Sequence, residues 1–102
     1  MTLIFVYITN PNKKHAEKLA LHLLKKRLVV CTNIFPIQSF YWWDEKIEKS
    51  KEYVLIAKTI KENFKKIKEE VKKIHEYSLP IIAKIEVKTN KEYEDWLRKE
   101  VR

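Results

Sequence analysis

A chain of 102 residues with 45% hydrophobic and 35% charged side chains has room for one domain around one modest core, which excludes both a two-domain arrangement and a disordered one. Its 22 Lys and Arg against 14 acids give a formal charge of +8, but Lys and Glu alternate along the chain, so the charge reads as a solubilising surface rather than a polyanion site. One cysteine rules out an internal disulfide and points to the cytoplasm, and the absence of glycine excludes a glycine-rich phosphate loop.

Leu3 to Ile8 is continuously apolar and β-prone, too short for a membrane span, and reads as a buried strand. Asn10-Pro11 then offers a helix N-cap followed by proline at the first helical position. Beyond it Ala16, Leu19, Ala20, Leu23 and Leu24 form one apolar stripe, with Lys13, Lys14, Lys18, Lys25 and Lys26 on other faces. This first helix, at about 16 residues, spans about 24 Å.

The stretch from Leu28 to Trp43 is rich in β-formers and is interrupted by Pro36, which predicts a bent edge strand or a bulge because proline cannot donate to a sheet ladder. Asp44-Glu45 supplies a turn, and Lys46 to Lys58 returns as the second arm of a long hairpin. Each arm, at about 13 residues and roughly 3.3 Å per residue, runs about 43 Å, so the tip overshoots the helical layer by something near 20 Å. Thr59 with Glu62 matches a capping box before a helix striped by Ile60, Phe64, Ile67, Val71 and Ile74. Pro80 precedes a fourth strand through Ile81, Ile82, Ile85 and Val87, and Asn90 caps a last helix presenting Tyr93, Trp96, Leu97 and Val101.

The order predicts an α+β, ferredoxin-like βαββαβ fold with an antiparallel four-stranded sheet, a long β2-β3 hairpin and a C-terminal helix. The tip carries Phe40, Tyr41, Trp42 and Trp43, an aromatic concentration that marks a self-association site unless Trp96 of the last helix covers it. Open edges on strands 2 and 4 add a second reason to expect a partner.

Chemistry-bearing residues are few. Cys31, flanked by Val29, Val30 and Thr32, has no evident base and reads as a buried hydrophobe or soft metal ligand. His15 and His22 are seven residues apart on one helix, about 10 Å along its axis, which reads as two solvated side chains. His75 ends the second helix beside Glu76 and Tyr77, at the pole of the hairpin tip, whereas Cys31 opens strand 2 at the other pole. One ion is therefore not shared between Cys31 and His75 of one chain. No CxxC, HExxH or acidic calcium loop occurs, and strand 3, KSKEYVLIAKT, lacks the aromatic RNA-recognition motif, so neither an organic cofactor nor a nucleic-acid partner is expected.

The segments RLVVCTNIFPIQSFYWWDEKIEKSKEYVLIAKT, HEYSLPIIAKIEV and YEDWL resemble the CutA divalent-cation-tolerance family, as do Thr9 and Pro11. The resemblance implies a non-catalytic homotrimer that binds Cu²⁺ or another divalent cation, with Cys31 and His75 at the matching metal-linked positions. It also implies an alternative, a signalling module whose intersubunit cleft, lined by Tyr41, Trp43, Glu52, Lys58 and Tyr77, takes a small anion or effector. Three positions depart from the family pattern: Glu45 replaces the glycine of the hairpin turn, Glu76 a proline, and Ile81 a frequent acid.

Overall fold

The computed structural model of the chain describes residues 2–101. Its elements are β1 (Leu3–Asn10), α1 (Lys13–Lys25), β2 (Cys31–Trp43), β3 (Lys46–Ile60), a short 3-10 turn (Lys61–Asn63), α2 (Phe64–Ile74), β4 (Ile82–Val87) and α3 (Lys91–Glu100). The strands form one antiparallel sheet in the order β2-β3-β1-β4, the ferredoxin-like order, which leaves β2 and β4 as edges.

Period-two alternation in the strands and the helical stripes meet in one core. Ile4, Val6 and Ile8 of β1 and Leu55 and Ala57 of β3 pack against Leu19, Ala20 and Leu23 of α1 and Ile67 and Val71 of α2. The opposite sheet face has only α3, whose Leu97 joins Leu3 and Ile60, with Val87 and Tyr93 beside them. Trp96 is half exposed and stacks on Tyr93 at 5.5 Å, in the helix that covers the Leu3–Ile60 end. The aromatic tip lies beyond the other end of that strand pair, so α3 does not cover it.

β1 reaches only Asn10, opposite Tyr53, whereas the β2-β3 pairing continues from Ile37↔Glu52 to Trp43↔Lys46. Beyond the four-stranded body the hairpin is thus a two-stranded ribbon, and the molecule measures 45 × 25 × 21 Å. Pro36 causes no bulge, because the register is unbroken from Cys31↔Lys58 to Trp43↔Lys46. As an edge-strand residue it needs no second ladder partner for a missing N–H.

Two capping expectations differ. Asn10 does not cap α1: its side chain is buried and donates to the Ile8 and Tyr53 carbonyls at 3.2 and 3.0 Å, holding the strand end. Asn12 takes the cap instead, its Oδ1 accepting from the His15 N–H at 2.8 Å, and Pro11 precedes it. The Thr59–Glu62 capping box is absent, because Thr59 is still in β3 and its buried hydroxyl donates to the Leu28 carbonyl at 2.6 Å. Leu28 matters there because α1 ends in a Schellman motif, with Leu28 N–H on the Leu23 carbonyl at 3.2 Å and Arg27 N–H on Leu24 at 3.0 Å. Arg27, at φ 58°, fills the left-handed position that glycine usually takes.

Candidate functional site

The helix-free face of the ribbon and the corner after α2 enclose an open groove of about 1080 Å³. Alternation along β3 brings Glu48 and Glu52 to one face, and across the ladder Glu52 faces Ile37 while Glu48 faces Tyr41. The corner, running from His75 to Pro80, supplies Glu76, Tyr77 and Leu79 to the opposite wall. Of the expected cleft residues, Tyr41, Trp43, Glu52 and Tyr77 line this groove and Lys58 does not.

Glu52 is the unusual group. It is 7% exposed, and its Oε2 accepts from the Tyr77 hydroxyl at 2.7 Å. Burial, followed by that hydrogen bond, raises the Tyr77 pKa, so the phenol remains a donor. Among the described residues nothing donates to Oε1, and no cation pairs with the carboxylate. Among the described residues no lysine or arginine lines the groove, although the sequence has 22 of them. The Oε1 atom is not buried without a partner, since it borders the open groove.

The corner is fixed by two imidazoles. His75 donates from Nε2 to the Thr9 carbonyl at 2.8 Å and accepts at Nδ1 from the Tyr77 N–H at 3.0 Å. His15 donates from Nδ1 to the Asn10 Oδ1 at 2.9 Å, and its Nε2 accepts from the Glu76 N–H at 3.3 Å. Their tautomers follow from these partners. The rings lie 4.6 Å apart, and burial first, then His75, lowers the His15 pKa. His15 is 5% exposed, and His22 donates to the buried Glu70 at 2.8 Å, so neither is the solvated side chain that the seven-residue spacing suggested. Spacing places both on α1 but does not say which side meets the sheet and α2.

Cys31 sits at the other end, partly exposed, opposite Lys58 across the ladder. The Lys58 ammonium lies over the rings of Phe5 at 5.4 Å and Tyr93 at 5.9 Å. Burial first, then Cys31, raises the Tyr93 pKa, and its hydroxyl is buried without a hydrogen-bond partner among the described residues. Phe5 faces Lys58, which faces Cys31, so Cys31 and the Thr9 carbonyl bonded by His75 are four residues apart along the strands, roughly 13 Å, and two strands apart across the sheet. Among the described residues no group of three His, Cys, Asp or Glu could hold a metal ion. Both nitrogens of His75 are occupied, so ligation there would displace the Tyr77 amide or the Thr9 carbonyl.

Sequence reasoning missed Glu48 and the part of His15, and considered Glu76 only as a metal ligand beside His75. The two-residue period of β3 places Glu48 on the face of Glu52, and that signal was available. The parts of Glu76 and His15 depend on a contact sixty-one residues apart in sequence, which no local pattern encodes.

Residues 4–100 match the family model described as CutA1 divalent ion tolerance protein. The divalent-cation tolerance protein CutA of Archaeoglobus fulgidus is 46% identical over 94 residues, 91% of this chain and 92% of that one. Its Thermotoga maritima counterpart is 42% identical over 100 residues, 97% of this chain and 99% of the relative. In three dimensions the chain superposes on the structure described as the periplasmic divalent cation tolerance protein CutA from Archaeoglobus fulgidus with a TM-score of 0.96, at 44% identity and 98% and 99% coverage. CutA1 from Oryza sativa gives the same TM-score at 36% identity, covering 100% of this chain and 95% of that one.

Proposed function

Because the chain belongs to the CutA1 divalent ion tolerance protein family, we propose that it is a non-catalytic, cytoplasmic homotrimer that binds Cu²⁺ or another divalent cation with ligands from more than one copy. The observation that carries this reading is the uncovered ribbon. Phe40, Tyr41, Trp42, Trp43 and Ile47 are 65, 42, 71, 54 and 66% exposed on two strands that have no third strand beside them. Such a ribbon is marginal alone in water, and its apolar surface is the kind that a sister copy covers. The open edges of β2 and β4 favour the same assembly.

Cys31 and His75 are the proposed ligands, and their separation within one chain supports a site built between copies, where a partner supplies the remaining donors. Calorimetric titration of the assembled protein with Cu²⁺ tests this: saturable binding that weakens in Cys31→Ala or His75→Ala is the expected result. Isotherms unchanged in both variants would remove the two residues as ligands. Sedimentation at micromolar concentration should give three times the chain mass, and a folded single chain would overturn the trimer. The compartment rests on the lone cysteine, whereas the Archaeoglobus fulgidus protein is described as periplasmic, so fractionation of native cells decides it.

A further inference from the structure

We propose that the outer face of the α1–α2 layer is an electrostatic docking surface for the backbone of double-stranded DNA, bound without regard to sequence. This goes beyond the metal-binding reading and does not rest on it. The layer packs on the sheet face opposite α3, and it contributes nothing to the groove or to the ribbon and strand edges that sister copies would cover.

Lysine and glutamate alternate along the chain, but the fold separates them. α1 with its C-cap Lys26 and α2 together hold ten lysines and three glutamates, a net +7 where the whole chain has +8. The hairpin from Cys31 to Ile60, by contrast, balances four lysines with four acids. Within the layer Glu70 takes up Lys26 and Lys73, and among the described residues the other eight lysines make no ion pair. Lys14, Lys18 and Lys25 share one face of α1, opposite the buried Leu19 and Leu23, and Lys65 and Lys72 share the outward face of α2. Like charges gathered in this way attract a polyanion.

The chemistry of the face selects among polyanions. All ten cations are lysines, point charges that hold phosphate but lack the guanidinium fork that reads base edges. Among the described residues neither helix exposes an aromatic ring on which an unstacked base could lie, which disfavours single strands. A membrane is disfavoured as well, because both apolar stripes face the core and Leu21 is the sole large apolar side chain that these helices expose. From Lys14 to Lys25 the face runs about 16 Å, with the second helix roughly 8–10 Å to one side. Over that length a duplex presents about nine phosphates, about half of them towards the protein.

Fluorescence anisotropy of a labelled duplex of about 30 base pairs, titrated with the native protein, tests the surface. Binding should be saturable at low salt, equal for two unrelated sequences, and weaker as salt rises, with a log–log slope near −4 for about four phosphate contacts. Lys18→Gln, Lys65→Gln and Lys72→Gln, all at exposed positions, should together weaken it at least roughly tenfold and flatten the slope by about three. Removing the same charge elsewhere, with Lys88→Gln, Lys91→Gln and Lys99→Gln, should weaken it less than about threefold. Cu²⁺ titrations of the first triple variant should match those of the native protein, which keeps this surface distinct from the proposed metal site. Equal losses in the two triple variants would overturn the proposal, because net charge and not this face would then be the cause. Absence of duplex binding at low salt would overturn it too, as would tighter binding of a single strand or of phosphatidylserine vesicles than of the duplex.

Discussion

Single residues carry two strains and one buried charge whose consequences are measurable. Asp44 and Glu45 form the two-residue hairpin turn with φ of 51° and 62°, the double left-handed geometry that glycine at the second position normally relieves. Glu45→Gly should stabilise the chain by roughly 0.5–1 kcal/mol, the relief of left-handed strain less the extra entropy of an unfolded glycine. A urea midpoint that rises at constant m would show it, and a lower midpoint would mean that the Glu45 side chain has a role beyond the turn. Glu70 is a different case, because its 2% exposed side chain is gripped by Lys73 at 2.9 Å, His22 at 2.8 Å and Lys26 at 3.5 Å. The Lys73 hydrogen bond first, and then that of His22, hold its carboxyl at about 2 against an ordinary 4.5. Since the folded value lies below the unfolded one, the stabilisation is full above pH 4.5 and is lost as pH falls from 4.5 towards 2. Unfolding titrations should therefore show a decline through that window that is shallower in Glu70→Gln, and parallel curves for the two proteins would refute the assignment. The turn at Asp44-Glu45 was legible in the sequence, but the grip on Glu70 was not. A glutamate within a lysine-rich helix looks solvated until the fold brings His22 of another helix against it.

At the scale of elements, the two-stranded ribbon makes a prediction that separates the isolated chain from the assembly. Beyond Glu52 its backbone has a partner on one side only, so in a free chain the amides of residues 37–43 and 46–51 would exchange with solvent nearly as fast as loops. If sister copies cover the ribbon, those amides should be protected to an extent comparable with residues 53–60 of the same strand. Hydrogen exchange followed by mass spectrometry decides it, and rapid exchange at assembled concentrations would count against ribbon-mediated assembly. The strands, the helices and the overshoot of the hairpin were readable because hydrophobic period and arm length are local quantities. Their details were mixed: Pro36 pointed to an edge strand or a bulge and the structure has the edge strand without the bulge, whereas Thr59 with Glu62 promised a cap that tertiary pairing overrides. Thr59 is committed to the Leu28 carbonyl, a contact across the α1–β2 connection that propensity alone does not contain. The groove was half legible, since Tyr41, Trp43, Glu52 and Tyr77 were named from a resemblance but its sign was not. That sign follows from the absence of Lys58, which lies at the other end of β3 and leaves only carboxylates to set the local charge.

For the molecule as a whole, the helix-free sheet face and the ribbon leave more apolar surface in water than a small folded chain usually tolerates. Phe35 and Ile85 are 41% and 49% exposed on edge strands, in addition to the tip aromatics. An assembly that hides this surface makes folding and association one equilibrium, so the melting temperature should rise with protein concentration. The side chains at Trp42 and Ile47 offer the means to break it, because they face each other across the ladder and are both largely exposed. Replacing both with lysine sets like charges directly opposite, which repel each other and any apolar partner, while no core contact is lost. The double variant Trp42→Lys, Ile47→Lys should sediment as a single chain, melt at a lower temperature, and lose the dependence of melting on concentration. Because the core of Ile4, Val6, Leu23, Leu55 and Ile67 is untouched, its far-ultraviolet circular dichroism should remain that of the parent below the transition. Were the variant to keep the parent's mass and concentration-dependent melting, the ribbon tip would be excluded as the joint, leaving the β2 and β4 edges to hold the copies together.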